Sequence, residues 1–290
     1  MQTKYLDVKG IRTRYLEAGA GDPLLLIHGG HFGLHTSANV YDLTIPHLAR
    51  NFHVFALDKI GCGFTDNPED DSDYVIGSAV RHAVEFLKAM ELGPVHLVGH
   101  SRGGFQSCRL AIEHPEMVKT LTIADSGTMV IGATIPMDVY DVTHKKAPDI
   151  AEPRERFRAK LADYSFSAAH LTDDFIDHLL QIAALPKSKE AAAKMEAGLK
   201  DRFKTDLMAS QRETYESIVA GRLKAPTLIV WGADDPAAPL ESAGLDVMRL
   251  IFRAVPKSQM CVLNRAGHFC FREQPEAFAA AVTDFIKLNS

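Results

Sequence analysis

Residues 95–104 read VHLVGHSRGG, an apolar run that ends in a serine enclosed by glycines. Gly99-His100-Ser101-Arg102-Gly103 has the spacing G-x-S-x-G, and it stands between a strand-like run and a helical pattern over 103–113. A serine on a sharp strand-to-helix turn takes strained backbone angles. Side chains two residues to either side would collide, hence glycine at both places. The following helix aims its N-terminal amides at the serine, where they can hold negative charge. A glycine-rich turn without chemistry has the same local pattern, so the decision rests on partners elsewhere in the chain.

Short apolar runs recur at 23–30, 52–59, 119–125, 226–232 and 259–264, each ending at glycine or polar residues. Such runs read as strands buried on both faces. Helical patterns lie between them at 74–90, 103–113 and 275–288. Strands alternating with helices predict an α/β fold with a mostly parallel sheet covered on both faces. KYLDVKGIRTRYLEA, around Lys9-Gly10, predicts an antiparallel hairpin at the sheet edge. Residues 132–221 are rich in Ala, Lys, Glu and Asp and have helical spacing only. They read as a helical cap, with 1–131 and 222–290 forming the core.

The bulk composition excludes other classes. The 290-residue chain has 32 basic and 37 acidic residues and a net charge of -5, which argues against nucleic acid and anionic membrane as partners. No apolar run approaches membrane-spanning length and the first residues lack a signal-peptide core, so a cytoplasmic protein is expected. Cys62, Cys108, Cys261 and Cys270 have no metal-type spacing and read as reduced structural residues. There is no phosphate-binding glycine loop, and no metal, nucleotide or flavin cofactor is implied.

A serine hydroxyl becomes a nucleophile when a histidine takes its proton, and the histidine needs a carboxylate to fix its tautomer. Both follow in the chain order expected of a strand-turn-helix serine. WGADDPAAP (231–239) follows one strand and offers Asp234 or Asp235; RAGHFCFREQPEAF (265–278) follows the last strand and offers His268 in an Ala-Gly-His turn. Each candidate sits on a loop at a strand's carboxyl end, where distant positions can converge.

With LLLIHGG (24–30), DKIGCGFTDNP (58–68), GHSRGG (99–104), WGADDPAAP and AGHFCFREQPEAF in view, the chain resembles the α/β-hydrolase fold family across nearly its full length. The resemblance implies a triad of Ser101, Asp235 and His268, the acid falling on Asp235 through W-G-x-x-D-x-x-x-P. It also implies an oxyanion hole from the amides of Gly30 and Arg102, and a structural role for Asp58. Serine at the elbow argues against epoxide hydrolases and haloalkane dehalogenases, which use aspartate there.

Within the family the chain is most similar to the meta-cleavage-product hydrolases, which break carbon-carbon bonds in 2-hydroxy-6-oxo-dienoates from aromatic degradation. That resemblance implies a small-molecule substrate and a binding role for Asn39, nine residues past Gly30. Gly29, His31, Phe32, His35, Phe175, Leu179 and Phe269 are the other substrate-facing candidates, with Phe157, Phe166 and Leu180 as further apolar cap residues. Leu179 stands where the family has a carboxylate-binding arginine, and Phe269 where it has tryptophan; Arg202 or Arg212 is expected to take over the carboxylate. A carboxylesterase or lactonase is the alternative, and a triad-retaining receptor a third class. A homodimer or higher homo-oligomer is left open.

Overall fold

The computed structural model describes residues 1–131 and 150–290. The strands are β1 (Gln2–Val8), β2 (Ile11–Ala18), β3 (Asp22–Ile27), β4 (Phe52–Leu57), β5 (Val95–His100), β6 (Val118–Ala124), β7 (Thr227–Gly232) and β8 (Ser258–Leu263). They form one sheet in the order β1-β2-β4-β3-β5-β6-β7-β8. β1 and β2 are the antiparallel hairpin, β2 pairs antiparallel with β4, and the remaining pairs are parallel.

The continuous apolar runs follow from covering both faces. Alternate residues of each strand enter opposite layers: Leu25, Ile27, Leu97, Ile229 and Trp231 pack into one, and Leu24, Leu26, Val98, Leu228 and Val230 into the other. The first layer is closed by α1 (Ile76–Ala89) and α2 (Arg102–Glu113), through residues such as Val80, Val84 and Phe105. β5 and β7, central to this packing, are buried at every residue.

Between β6 and β7 the described residues are helical: α3 (Pro153–Ala162), α4 (Asp173–Ala184), α5 (Pro186–Lys194) and α6 (Lys200–Val219). The first part of the expected cap, 132–149, lies outside the described residues. Thr172 caps α4 by accepting the Phe175 amide, with Asp173 and Asp174 in the first turn. Helices α7 (Leu245–Ala254) and α8 (Pro275–Asn289) complete the layers, α7 on the first and α8 on the second.

Candidate active site

Ser101 occupies the turn between β5 and α2 with φ 52° and ψ −125°, a left-handed backbone that side chains other than glycine rarely adopt. Its neighbours allow this because they have no side chains. A Cβ on Gly99 would strike the Gly103 carbonyl and Ser107 Oγ, and one on Gly103 would strike the backbone of Ile27 and His28. The turn is tied on both sides: the Ser101 amide donates to Ala124 O at 2.9 Å, and Ser126 Oγ donates to Ser101 O at 2.5 Å.

His268 Nδ1 donates to Asp235 Oδ2 at 2.8 Å. Asp235 is buried, and its Oδ1 accepts the amides of Ala237 and Ala238 at 2.8 and 3.0 Å, so the carboxylate folds its own loop around itself. Trp231 pins the far end of that loop by donating Nε1–H to Ala238 O at 2.8 Å. Asp234 is exposed and, among the described residues, reaches only Ala266 O, through its own amide. Between the two candidates, the geometry joins Asp235 to the histidine.

Burial opposes the charged form of His268, but the charge and hydrogen bond of Asp235 outweigh it and hold the imidazole above its usual pKa. The ring is placed by contacts outside the triad pattern. The His268 amide donates to Tyr164 O at 2.7 Å, and His100 Nε2 donates to His268 O at 2.7 Å. His100, fully buried, is kept neutral by that burial and by His268. Ser101 Oγ makes no hydrogen bond to the His268 ring among the described residues, but both line one cavity. Such bonds commonly tighten only with substrate present.

The His28-Gly29-Gly30 loop borders the same cavity. Lys59 N donates to His28 Nε2 at 3.2 Å, which leaves Nδ1–H to donate to Gly29 O at 2.7 Å. Lys59 Nζ donates to Gly30 O at 2.8 Å. This buried ammonium, lowered by burial to a pKa of about 8, fixes the peptide whose neighbouring amide is the oxyanion candidate. Sequence reasoning missed Lys59, since nothing in DKIGCG shows a lysine turned inward. Asp58 is a loop anchor: it accepts the amides of Ala38 and Phe64 and pairs with Arg14 at 3.1 Å.

The cavity measures about 1080 Å³. Gly29, His35, Phe157, Phe175, Leu179 and Phe269 line it, and Arg102, Lys160 and Arg212 are the cations on its wall among the described residues. Lys160 was not anticipated, and Arg202 lies elsewhere, exposed on α6.

Three expected substrate contacts are placed outside the cavity wall. Phe32 is buried against Tyr74 and Phe203, with ring centroids 4.8 and 6.1 Å away. The apolar layer beneath the loop claims that large ring before a ligand can. His31 stacks on Phe203 at 5.0 Å, with Nδ1 bonded to Phe32 O. Asn39 sits in a short turn whose carbonyl accepts from the buried Arg272, and its own Oδ1 is buried with no partner among the described residues. Phe166 is exposed, and Leu180 packs against the second apolar layer instead of the cavity.

The α/β-hydrolase fold family matches residues 22–275 of this chain. The chain belongs to the α/β-hydrolase fold family. It is 30% identical over 290 residues to the 2-hydroxy-6-oxo-6-(2'-aminophenyl)hexa-2,4-dienoic acid hydrolase of Metapseudomonas resinovorans, covering 98% of this chain and 90% of that protein. It is 32% identical over 279 residues to the 2-hydroxymuconate semialdehyde hydrolase of Pseudomonas sp. strain CF600, covering 96% and 91%. Among solved structures, the meta-cleavage product hydrolase from Pseudomonas fluorescens IP01 superimposes with a TM-score of 0.78 at 26% identity, over 99% and 98% of the two chains. This α/β-hydrolase is thus an enzyme whose relatives are named hydrolases of meta-cleavage products.

Proposed function

We propose that this α/β-hydrolase cleaves a carbon-carbon bond in a small-molecule ring-cleavage product of the 2-hydroxy-6-oxo-hexa-2,4-dienoate type. Ser101 is the nucleophile, His268 the base and Asp235 the acid, with the amides of Gly30 and Arg102 receiving the oxyanion. The observation that carries the reading is the cavity over Ser101, which has two chemically different parts. Phe157, Leu161, Phe175 and Leu179 offer an apolar wall for the substituent at C6. Lys160, half-buried with no ion pair among the described residues, offers a cation for the carboxylate where Leu179 cannot. The near full-length similarity to dienoate hydrolases supports the same substrate class.

In this reading the dienol first ketonises, a proton moving to C5 with His268 involved. Ser101 Oγ then attacks the C6 carbonyl as His268 takes its proton, and the oxyanion rests on two amides. The C5–C6 bond breaks, the imidazolium of His268 returns its proton to the dienolate so that the dienol acid departs, and water hydrolyses the acyl-enzyme with the neutral His268 again as base. No step requires a cofactor. No helix of the described residues is long and apolar enough to cross a membrane, and all four cysteines are free, which fits a reducing cytoplasm.

A carboxylesterase or lactonase would use the same triad without the ketonisation. Mixing the enzyme with yellow dienol ring-cleavage products and, separately, with p-nitrophenyl acetate distinguishes the two. Rapid bleaching with weak ester turnover supports carbon-carbon hydrolysis, and ester turnover without bleaching of any dienoate rejects it.

A further inference from the structure

Asp125 lies outside the triad but in the same buried layer. β6 and β7 are parallel neighbours that pair through Ala124 and Val230, so their carboxyl ends emerge side by side. Asp125 follows the first strand and Asp235 the second. The Asp125 amide donates to Val230 O at 3.1 Å, and its Oδ1 accepts the Gly232 amide at 2.7 Å. The side chain therefore crosses from the end of β6 to the root of the loop that carries Asp235. It is fully buried, Oδ2 meets no nitrogen or oxygen partner among the described residues, and the Cys270 thiol lies against the carboxyl.

This placement is disfavoured twice. The backbone has φ 44°, in the left-handed region that suits glycine, and a buried carboxyl oxygen has no nitrogen or oxygen partner among the described residues. A purely structural need would be met more easily. Asparagine would offer Gly232 the same oxygen with no ionisable group to bury, and glycine would relax the backbone. What aspartate alone adds is an ionisable group in this layer.

The groups around it are Asp235 from the loop after β7, His268 from the loop after β8, and the Cys270 thiol two residues on. Burial, followed by the charge of Asp235, holds the Asp125 carboxyl well above the ordinary carboxylate range, while His268 pulls the other way. Burial likewise keeps the Cys270 thiol neutral. We propose that Asp125 is a second acid for His268, a positioning residue that keeps its proton while Asp235 carries the negative charge and ionises when Asp235 cannot. The proposal rests on the assignment of Asp235 and His268 as acid and base. In the absence of the Asp235 charge, Asp125 gives up its proton to solvent, and the carboxylate left behind stabilises the imidazolium of His268.

The test is a double-mutant cycle on the full-length enzyme with p-nitrophenyl acetate, a probe that needs the triad but not the dienol chemistry. Asp125→Asn preserves an oxygen for Gly232, and circular dichroism with melting temperature checks each variant's fold. Asp235→Asn is expected to lose about 100-fold in kcat, against the ~10⁴-fold typical of a triad acid without a substitute, with a rate that rises with pH as Asp125 ionises. Adding Asp125→Asn should bring the loss to ~10⁴-fold and abolish the rise. Equal losses and one shared pH profile for Asp235→Asn and the double variant would overturn the proposal. His268→Ala serves as the control: near-normal turnover there would overturn the triad assignment and this proposal with it.

Discussion

Asp235 divides its two oxygens between separate duties: Oδ2 accepts from His268 Nδ1 at 2.8 Å, and Oδ1 accepts the amides of Ala237 and Ala238. The carboxylate can meet the ring in one orientation only, and that orientation selects the tautomer with a bare Nε2 facing the serine's side of the cavity.

Asp234, one residue away, is exposed and, among the described residues, linked to the site only through its backbone. Asp234→Asn should leave kcat/KM for p-nitrophenyl acetate within about twofold of wild type, as for surface changes that touch no partner. A loss of 100-fold or more there would move the acid to Asp234.

His268 must be neutral to take the serine proton, and its folded-state pKa lies above 6.5 because the opposing effect of burial is outweighed by Asp235. The acid limb of kcat/KM should therefore have its midpoint above pH 6.5, with activity lost as pH falls through it. A pH-rate profile with the midpoint below 6.5 would contradict this arrangement.

Lys59 holds the Gly30 carbonyl from beneath. Lys59→Met retains the length of the stem but frees that peptide, and an oxyanion donor that loses its aim should lower kcat by about 10- to 100-fold with KM little changed. Steady-state kinetics on a variant that melts cooperatively checks this; an effect confined to KM would place Lys59 in substrate binding instead.

Lys160 is assigned to the substrate carboxylate. Lys160→Ala should raise KM for a dienoate by about 10-fold or more, the value of a charge-assisted hydrogen bond, whereas Lys160→Arg restores most of it. Turnover of a neutral ester should change by less than about threefold. Equal effects on both substrates would point to packing.

Several buried histidines are kept neutral by the fold. Burial lowers His82 to about 4, and burial followed by Arg272 lowers His170 to about 3. Since both folded values lie below the unfolded 6.5, their contribution is complete above pH 6.5 and is lost as pH falls from 6.5 toward 4. For His82 the loss at pH 4 is on the order of 3 kcal/mol. Thermal melts should show Tm falling steadily over that window, and a flat Tm between pH 6.5 and 4.5 would contradict the burial.

The strands, the elbow and the acid and base candidates were legible because each depends on local rules. Apolar runs mark strands covered on both faces, and Gly99 and Gly103 sit where a Cβ cannot fit. The choice of Asp235 over Asp234 was open from the residues themselves and was made by resemblance. The cavity wall was legible only in part. Phe32 follows the glycines as a substrate contact would, yet its ring is drawn into the layer with Tyr74 and Phe203 by packing from elements far along the chain. Lys59, Lys160 and Asp125 went unseen for the same reason: their roles come from which side of a loop or helix faces the site, and periodicity does not report that for a single charged residue.

Attack of Ser101 on a dienoate carbonyl is the step on which the proposed function stands. It is tested most directly by mixing Ser101→Ala, in parallel with wild type, with a yellow dienol ring-cleavage product and following the absorbance. Wild type should bleach the product rapidly, and Ser101→Ala should hold a bound chromophore with hydrolysis lost by at least about 10³-fold. Near-normal bleaching by Ser101→Ala, or none by wild type on any dienoate that binds, would contradict it.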